Sequence, residues 1–414
     1  MDQLLRSHAD HIIKASITAV LPDEAVKRAL EGQEFPGRVL LVAAGKAAWQ
    51  MAKAAYDFWG ERIETGVVVT KYDHVMGEIG NFQCFEAGHP VPDENSFKGT
   101  QAALDLVKGL TENDTVLFLL SGGGSALFEK PLVSGEVLQD ITGQLLACGA
   151  DIVEINTIRK RLSSVKGGRF ALACAPARVF SIVLSDILGD PLDMIASGPA
   201  VPDTSTCEQA VAIAKKYDLR MPKTAWELLE QETPKALTNV TTQVSGSVKE
   251  LCVAAAAACR ELGYEPVMLT DQLYCQAKEA GSFLASVLKT HAGQGRNLAF
   301  LAGGETVVQL TGKGLGGRNQ ELALSAAIGI AGIPGAAVFS VGSDGTDGPT
   351  DAAGGYADYV TAAELKAQGI EIYDVLQNND AYHALQKVNG LVITGPTGTN
   401  VNDVAVALLR ADLT

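Results

Sequence analysis

The sequence lacks the cysteine and histidine patterns that mark disulfide-rich or zinc-binding proteins. It has no C-x-x-C pair, its seven cysteines stand singly, and its six histidines show no metal-ligand spacing. Neither a disulfide framework nor a structural zinc site is therefore expected. The opening residues MDQLLRSHAD lack the apolar centre of a signal peptide. No apolar run approaches the ~20 residues that a membrane-spanning helix needs, so we expect a cytoplasmic protein with no membrane partner.

Positive charge is also scarce. The chain has 33 Lys and Arg residues against 48 Asp and Glu residues, which gives a net charge of −15. Because nucleic acid is bound through clustered Lys and Arg side chains, this charge balance argues against a nucleic-acid partner. A small anionic substrate can still bind where local basic side chains and backbone N–H groups overcome the overall negative field.

The hydrophobic pattern predicts two α/β domains. At roughly 100–200 residues per domain, 414 residues exceed one ordinary core. Buried strands alternate with amphipathic helices, which is typical of mostly parallel or mixed sheets. The strands are predicted at 38–44, 65–70, 114–120, 178–186, 265–270, 297–304, 306–310 and 336–344, with a final strand, turn and strand over 390–409.

The pattern loosens between residues 217 and 240, where two prolines occur and no strong strand is visible. We therefore place a domain crossing there. The prediction is a Rossmann-like N-terminal domain over residues 1–235, a C-terminal α/β domain over 236–414, and a cleft between them. Ligands of such sheets bind beyond the carboxyl ends of the strands, so the residues that follow each strand carry the functional argument.

Glycine-rich and basic segments follow two strands of the first domain. Gly45 and Lys46 open a helix after the first strand, and "SGGGS" (121–125) follows the strand at 114–120. A lysine in the first turn opposes the helix dipole, and successive glycine N–H groups can form an anion-binding nest. A cluster of five basic residues strengthens the prediction of an anion site: Arg159, Lys160, Arg161, Lys166 and Arg169.

Acidic residues follow other strands in both predicted domains. Asp186 ends the strand at 178–186, Glu305 follows the strand at 297–304, Asp344 ends the strand at 336–344 and Asp347 follows it. Carboxylates in such positions can hold Mg²⁺ or act as a base, so they predict a metal–phosphate site. Arg318 at the start of a helix again opposes the dipole and suggests a second anion clamp.

Familiar catalytic signatures are absent. The sequence contains no Walker motif, no protein-kinase signature and no G-x-S-x-G elbow. Gly312, Gly314 and Gly317 formally match G-x-G-x-x-G, but this match lies outside the first βαβ unit, where a dinucleotide fingerprint would occur. From the residues alone, the protein is a two-domain anion binder that also holds a divalent cation, and its reaction stays open.

Taken together, the motifs resemble the class II glycerate kinases, which are glycerate 2-kinases that carry a C-terminal MOFRL region. The resemblance extends from about Leu4 to Leu409 and uses these segments in order: AAGKAAWQMAKAA, AGHPVPDENS, LLSGGGSALFEKP, INTIRKRLSSVKGGRFA, LSDILGDPLDMIASGPAVPD, AGGETVVQLTGKGLGGRNQELAL, SVGSDGTDGPTDAAGG and GPTGTNVNDVAVAL. It implies ATP-dependent phosphorylation of D-glycerate at its C2 hydroxyl, with Mg²⁺ or another divalent cation.

The resemblance also suggests site residues. Lys46 and Arg318 match the family's proposed catalytic basic pair. We expect Ser121, Gly122, Gly123, Gly124 and Ser125, together with Lys166, to bind ATP phosphates. Asp186, Glu305 and Asp344 are expected metal ligands, and Asp186 is a further candidate for the catalytic base. A homodimer is possible.

Two other interpretations compete with a kinase. Some family members are named as hydroxypyruvate reductases, so an NAD(P)H-dependent hydroxypyruvate reductase is the main alternative. A non-catalytic module that binds sugar phosphates is the second. The acids at the strand ends argue against that module, because carboxylates beside phosphate weaken binding unless a metal ion lies between them.

Overall fold

The computed structural model describes residues 1–411, which form two compact units. The N-terminal unit comprises residues 22–185 and 190–245, and the C-terminal unit comprises residues 1–21, 186–189 and the chain from Gly246 onward. The sequence prediction placed the boundary after residue 235 and the first helix in the N-terminal domain. The structure groups this helix with the C-terminal unit because it buries Leu5, Ile12 and Ile17 in that unit's core.

Within residues 1–411, twelve strands form two six-stranded sheets. The strands of the first sheet are β1 (Val39–Ala44), β2 (Ile63–Lys71), β3 (Gln83–Ala87), β4 (Thr115–Leu120), β5 (Arg178–Leu184) and β6 (Val240–Gly246). Those of the second are β7 (Glu265–Leu273), β8 (Leu298–Gly304), β9 (Ala336–Gly342), β10 (Gly354–Asp358), β11 (Leu391–Val392) and β12 (Asp403–Leu409).

The helices occupy most of the connections between strands. They are α1 (Gln3–Ala19), α2 (Pro22–Leu30), α3 (Ala48–Trp59), α4 (Glu94–Leu106), α5 (Gly124–Leu127), α6 (Gly135–Ala147), α7 (Ile152–Leu162), α8 (Arg169–Cys174), α9 (Cys207–Lys216), α10 (Lys223–Leu229), α11 (Val248–Glu261), α12 (Ala277–His291), α13 (Arg318–Ile330), α14 (Thr361–Ala367), α15 (Ile372–Gln377) and α16 (Ala381–Lys387). None of the helices in residues 1–411 combines the length and the apolar character needed to cross a bilayer.

The first sheet has the strand order β3-β2-β1-β4-β5-β6, which is the Rossmann order that the sequence analysis expected. Strands β1 and β4 run parallel and every residue in them is buried. Helices on both faces of a parallel sheet cover its central strands, which explains why these strands are apolar without alternation. The order of the strands reverses between β1 and β4, so their carboxyl ends border the crevice where such sheets bind ligands.

The second sheet is mixed, with the order β11-β10-β9-β12-β8-β7. Only β7 and β8 pair in parallel, and β12 lies antiparallel between β8 and β9. The amino end of β12 therefore lies at the same edge of the sheet as the carboxyl ends of β8 and β9. This arrangement of the C-terminal unit determines which acids meet in its site.

One predicted strand was wrong. Residues 306–310 form no strand, and Val307 makes only an isolated bridge with Gln276. The sequence TVVQL has high β-propensity, but the neighbour of β8 on this side is β7, so the segment finds no partner strand. It instead lines a cavity, and Leu310 is 81% exposed.

Candidate active site

The carboxyl ends of β1 and β4 are joined by hydrogen bonds between the loops that follow them. The Lys46 N–H donates to Gly122 O at 2.9 Å, and the Ala47 N–H donates to Ser121 Oγ at 3.0 Å. Gly45 has a φ of 125°, and a Cβ there would lie 2.2 Å from Ser121 Oγ. The close approach of the two loops thus requires glycine at position 45. Ser121 supports this junction through its hydroxyl.

The glycine loop over residues 122–125 presents unused backbone donors. Gly123 has a φ of 85° and is the N-cap of the short helix α5. A Cβ on Gly124 would lie 2.7 Å from Ala196 Cβ. Within residues 1–411, the N–H groups of Gly122, Gly123, Gly124 and Ser125 have no hydrogen-bond acceptor. Consecutive free N–H groups of this kind form an anion-binding concavity.

Lys46 lies against this loop. Its Cγ would be 3.1 Å from a Cβ on Gly123, so the side chain passes directly over the glycine. In the part of the chain that the structure describes, its ammonium forms neither an ion pair nor a hydrogen bond. The ammonium of Lys46 and the loop N–H groups are the free donors that an oxyanion needs.

Lys166 supports the loop from the protein interior. Its fully buried Nζ donates to Ser125 O at 2.9 Å and to Phe128 O at 3.0 Å, and it pairs with Glu129 Oε2 at 3.2 Å. Burial lowers the pKa of Lys166, and the Glu129 carboxylate opposes that shift. A lysine has three donors, and all three are used here. The expected phosphate contact would break one of these bonds, so we assign Lys166 to positioning the loop.

Most of the predicted basic cluster is also neutralised by protein groups. Lys160 pairs with Asp203 at 3.1 Å and with Asp193 at 3.3 Å, and the buried Arg161 lies 3.7 Å from Asp203. Arg169 donates to three backbone carbonyls of the α7 C-terminus, those of residues 160, 161 and 163. Lys160, Arg161 and Arg169 are therefore bound by protein groups and do not form an exposed anion-binding face.

The C-terminal unit gathers acids and Arg318 at one edge of its sheet. Asp403 opens β12 opposite Gly304 of β8 and Gly342 of β9. Glu305 follows β8 directly, and Asp344 follows β9 after one residue. Asp403 was not predicted from the sequence, because the acidic candidates were those at the carboxyl ends of strands and Asp403 lies at the amino end of β12. The antiparallel direction of β12 brings it to the same edge.

Arg318 is held by two of these carboxylates. Its Nε and Nη2 donate to the Asp403 oxygens at 2.6 and 3.0 Å, and its Nη1 donates to Glu305 Oε1 at 2.8 Å. Asp347 caps the same helix, because its oxygens accept from the N–H groups of Asn319 at 3.1 Å and Gln320 at 2.9 Å. These acids offset the unfavourable position of an arginine at a helix N-terminus and fix the direction of its guanidinium.

A cavity of about 690 Å³ opens beside Arg318. Glu305 and Asp344, two of the predicted metal ligands, line it, and so do Glu321 and Asn379, which the sequence motifs did not single out. The Glu321 carboxylate accepts from Asn379 Nδ2 at 3.3 Å, and burial raises its pKa. Glu321 lies within the segment AGGETVVQLTGKGLGGRNQELAL but on a helix, and Asn379 lies outside every quoted segment, so only the folded chain reveals them.

The glycines of the G-x-G-x-x-G match serve packing. A Cβ on Gly312 would lie 2.3 Å from Asn378 O, one on Gly314 would lie 2.4 Å from Asp380 Cβ, and one on Gly317 would lie 2.3 Å from Asp347 Cγ. Each glycine thus allows the loop before α13 to contact protein atoms. The mixed sheet that carries this loop also differs from the parallel sheet of a dinucleotide fold.

The three predicted metal ligands do not form a preassembled site. Among the residues that the structure describes, only Cys207, Glu208 and Glu232 place three possible ligand atoms within 4.8 Å of one another. Asp186 lies in the short 186–189 segment and is half-buried. Glu305 and Asp344 do share the cavity and offer hard oxygen donors. Mg²⁺ commonly takes one or two carboxylates and completes its shell with water and phosphate oxygens, so this pair fits it.

The geometry of Asp403 predicts a pH dependence. The pKa of Asp403 is raised to about 6, mainly by burial and further by the nearby Asp347 charge. Its bonds to Arg318 oppose this shift. Below that pH, Arg318 loses a charged partner, so we expect kcat to fall with an apparent pKa near 6. A pH–rate profile of the wild type and of Asp403→Asn checks this, because the variant should lack that inflection.

The sign of the stability change separates this effect from unfolding. The folded pKa of Asp403 exceeds the ordinary value of about 3.9, so protonation of this group stabilises the fold as the pH falls through that interval. Loss of activity near pH 6 with a melting temperature that does not fall supports the interpretation. An inflection that persists in Asp403→Asn would assign it to another group.

Comparison with known proteins identifies the family. Residues 8–230 match the DUF4147 domain, a domain of unknown function, and residues 298–403 match the MOFRL family. The chain is 54% identical to the D-glycerate 2-kinase of Thermotoga maritima over 98% of both chains. It is 38% identical, over 96% of this chain and 93% of the other, to an Agrobacterium vitis protein that bears the name hydroxypyruvate reductase.

A solved structure agrees with this assignment. The crystal structure of glycerate kinase from Thermotoga maritima superposes with a TM-score of 0.93 at 53% sequence identity, and the match covers 99% of this chain and all of the other. The resemblance drawn from the sequence motifs is confirmed. This chain belongs to the family of glycerate kinases built from a DUF4147 domain and a MOFRL domain.

Proposed function

We propose that this protein transfers the γ-phosphoryl group of ATP to the C2 hydroxyl of D-glycerate and releases 2-phospho-D-glycerate and ADP. The observation that carries this proposal is the 54% identity with a D-glycerate 2-kinase over nearly the full length of both chains. The free donors of Lys46 and of the glycine loop, together with the oriented Arg318, supply the anion-binding groups that the reaction needs.

The N-terminal unit binds the nucleotide phosphates in this proposal. The N–H groups of Gly122 to Ser125 and the Lys46 ammonium donate to phosphate oxygens, while Ser121 and Lys166 hold the loop in place. Phosphoryl transfer passes through a loose transition state whose charge is spread over the phosphoryl oxygens. Fixed donors that need no reorganisation lower its free energy more than mobile ones do.

Arg318 either neutralises the transferred group or binds the glycerate carboxylate. Its position is fixed by Asp403 and Glu305, so its fork is oriented before substrate arrives. The C2 hydroxyl loses its proton as its oxygen attacks phosphorus, and the Asp186 carboxylate is the candidate that accepts it. We propose that Asp344 and Glu305 hold Mg²⁺, which neutralises phosphate charge when bound.

The cytoplasmic location and the homodimer remain predictions. Seven free cysteines suit a reducing compartment. Size-exclusion chromatography with light scattering measures the oligomeric state directly.

Two parallel assays test the activity. We expect ADP release that requires both D-glycerate and a divalent cation, and no NADH or NADPH oxidation with hydroxypyruvate. The A. vitis relative's name makes the second assay necessary. Nucleotide reduction with hydroxypyruvate and no ADP release with D-glycerate would overturn the proposal.

A further inference from the structure

One member of the basic cluster differs from the rest. Lys160, Arg161, Lys166 and Arg169 all contact protein acceptors, as described above. Arg159 is half-buried, yet within residues 1–411 it forms no ion pair within 4.0 Å and no hydrogen bond. A half-buried guanidinium without a partner has lost part of its hydration and gained nothing in return. Such a group is suited to bind a ligand anion.

Helix α7, which carries Arg159, is connected to the glycine loop through Ser197. Asn156 lies one helical turn before Arg159, and residues at i and i+3 share one face of a helix. The Ser197 hydroxyl donates to Asn156 Oδ1 at 2.9 Å, and Ser197 Oγ also lies 3.4 Å from Ser125 Oγ. This chain of polar contacts runs from α7 to the loop whose N–H groups are free.

The charged groups that affect Arg159 include Glu129, which pairs with the Lys166 that holds the glycine loop. Burial lowers the pKa of Arg159, and the Glu129 carboxylate opposes that shift. Glu129 already pairs with Lys166, which holds Ser125 O and Phe128 O. Among the described residues, none forms a hydrogen bond with the buried Glu129 Oε1. Arg159 is therefore within electrostatic range of the residues that support the loop but is not fixed by them.

The backbone beside the glycine loop is left-handed at two non-glycine residues. Ala196 and Ser197 have φ values of 50° and 61°, which L-residues rarely adopt. The Gly167 N–H holds this turn by donating to Ser197 O at 3.0 Å. The turn places Ala196 against Gly124 and Ser197 against Ser125, and Ser197 also bonds to Asn156 of α7.

We propose that Arg159 and the free N–H groups of Gly122 to Ser125 form one anion subsite of the N-terminal unit. This inference rests on the proposed function and deepens it, because it adds a third cation to the basic pair Lys46 and Arg318. The ligand is an oxyanion that the guanidinium can bind through two parallel hydrogen bonds. ATP phosphate and glycerate carboxylate share that chemistry, and the experiment distinguishes them.

The test measures binding of each ligand separately by titration calorimetry to the wild type, Arg159→Gln and Arg159→Lys. We expect Arg159→Gln to weaken one ligand by about tenfold to a hundredfold, since bonds to charged groups are worth that much, and to change the other by less than twofold. Weaker binding of ATP assigns phosphate, and weaker binding of D-glycerate assigns carboxylate. Arg159→Lys should bind with intermediate affinity because it keeps the charge and loses the fork.

Controls separate this subsite from a structural role. Lys223→Gln removes the same charge from an 89% exposed side chain of the same unit, so both affinities should stay within twofold of wild type. If Arg159 is only a counter-ion of Glu129, Arg159→Gln will lower the melting temperature and leave both affinities unchanged. That result overturns the subsite but not the kinase. A wild-type protein that binds neither ligand would instead overturn the proposed function.

Discussion

Replacing Arg318 with alanine is expected to lower kcat for D-glycerate phosphorylation by about 10³-fold, the effect typical of an arginine that stabilises a phosphoryl-transfer transition state. The bidentate pair with Asp403 fixes the guanidinium, and its third contact is Glu305. Arg318→Lys should recover little activity, because an ammonium cannot reproduce this fork. Steady-state kinetics with D-glycerate and Mg·ATP measure both variants.

Lys46→Ala should lower kcat to a similar extent. The double variant Lys46→Ala with Arg318→Ala tests whether the two residues serve one step. Groups that act as a unit lose most of the activity when either is removed, so the double variant should be little slower than either single variant. Arg296→Ala is a matched control, because it removes a half-exposed arginine that pairs with Glu265 in the C-terminal unit. Multiplicative losses in the double variant would show that the two residues act independently.

Replacing Lys166 with alanine is expected to destabilise the N-terminal unit by about 3–5 kcal/mol, because it leaves a buried carboxylate without its partner. The side chains of Lys166 and Glu129 are 0% and 2% exposed. The carbonyls of Ser125 and Phe128 lose their donor in the same step. Denaturant unfolding followed by tryptophan fluorescence is the suitable measurement, since all three tryptophans lie in the N-terminal unit: Trp49, Trp59 and Trp226.

The double variant Lys166→Met with Glu129→Leu separates the ion pair from the space it fills. Removing both charges should restore much of the stability, because an apolar pair of similar volume avoids the cost of desolvation. Its activity should stay low, since the glycine loop has still lost the donor that holds Ser125 O. A single Lys166→Ala variant as stable as wild type would contradict the assignment of this lysine to positioning.

Local sequence patterns predicted much of the first sheet. Strands such as β1 and β4 are buried on both faces, so each appears as an uninterrupted apolar run followed by glycine or a polar residue. The segment 306–310 is also rich in residues that favour strands, but it pairs with no strand because β7 already occupies that side of β8. Strand pairing depends on distant partners, which a local pattern does not specify.

The candidate site residues likewise divide into those that a local pattern predicts and those that depend on distant parts of the chain. Lys46, the glycine loop, Glu305 and Asp344 were found because each follows a strand. Asp403 was not, because its place at that edge depends on the antiparallel pairing of β12. The basic cluster could not be interpreted from the sequence, since Asp203 and Glu232, which neutralise it, come from later in the chain.

The position of the phosphate in the product tests the central claim most directly. The wild-type enzyme is mixed with D-glycerate, ATP and Mg²⁺, and the product is analysed by phosphorus and proton NMR against both phosphoglycerate isomers. A 2-kinase predicts coupling of the phosphorus to the single C2 proton and release of one ADP per product. Phosphorus coupled to the two C3 protons, or the absence of any phosphorylated product, would contradict the account.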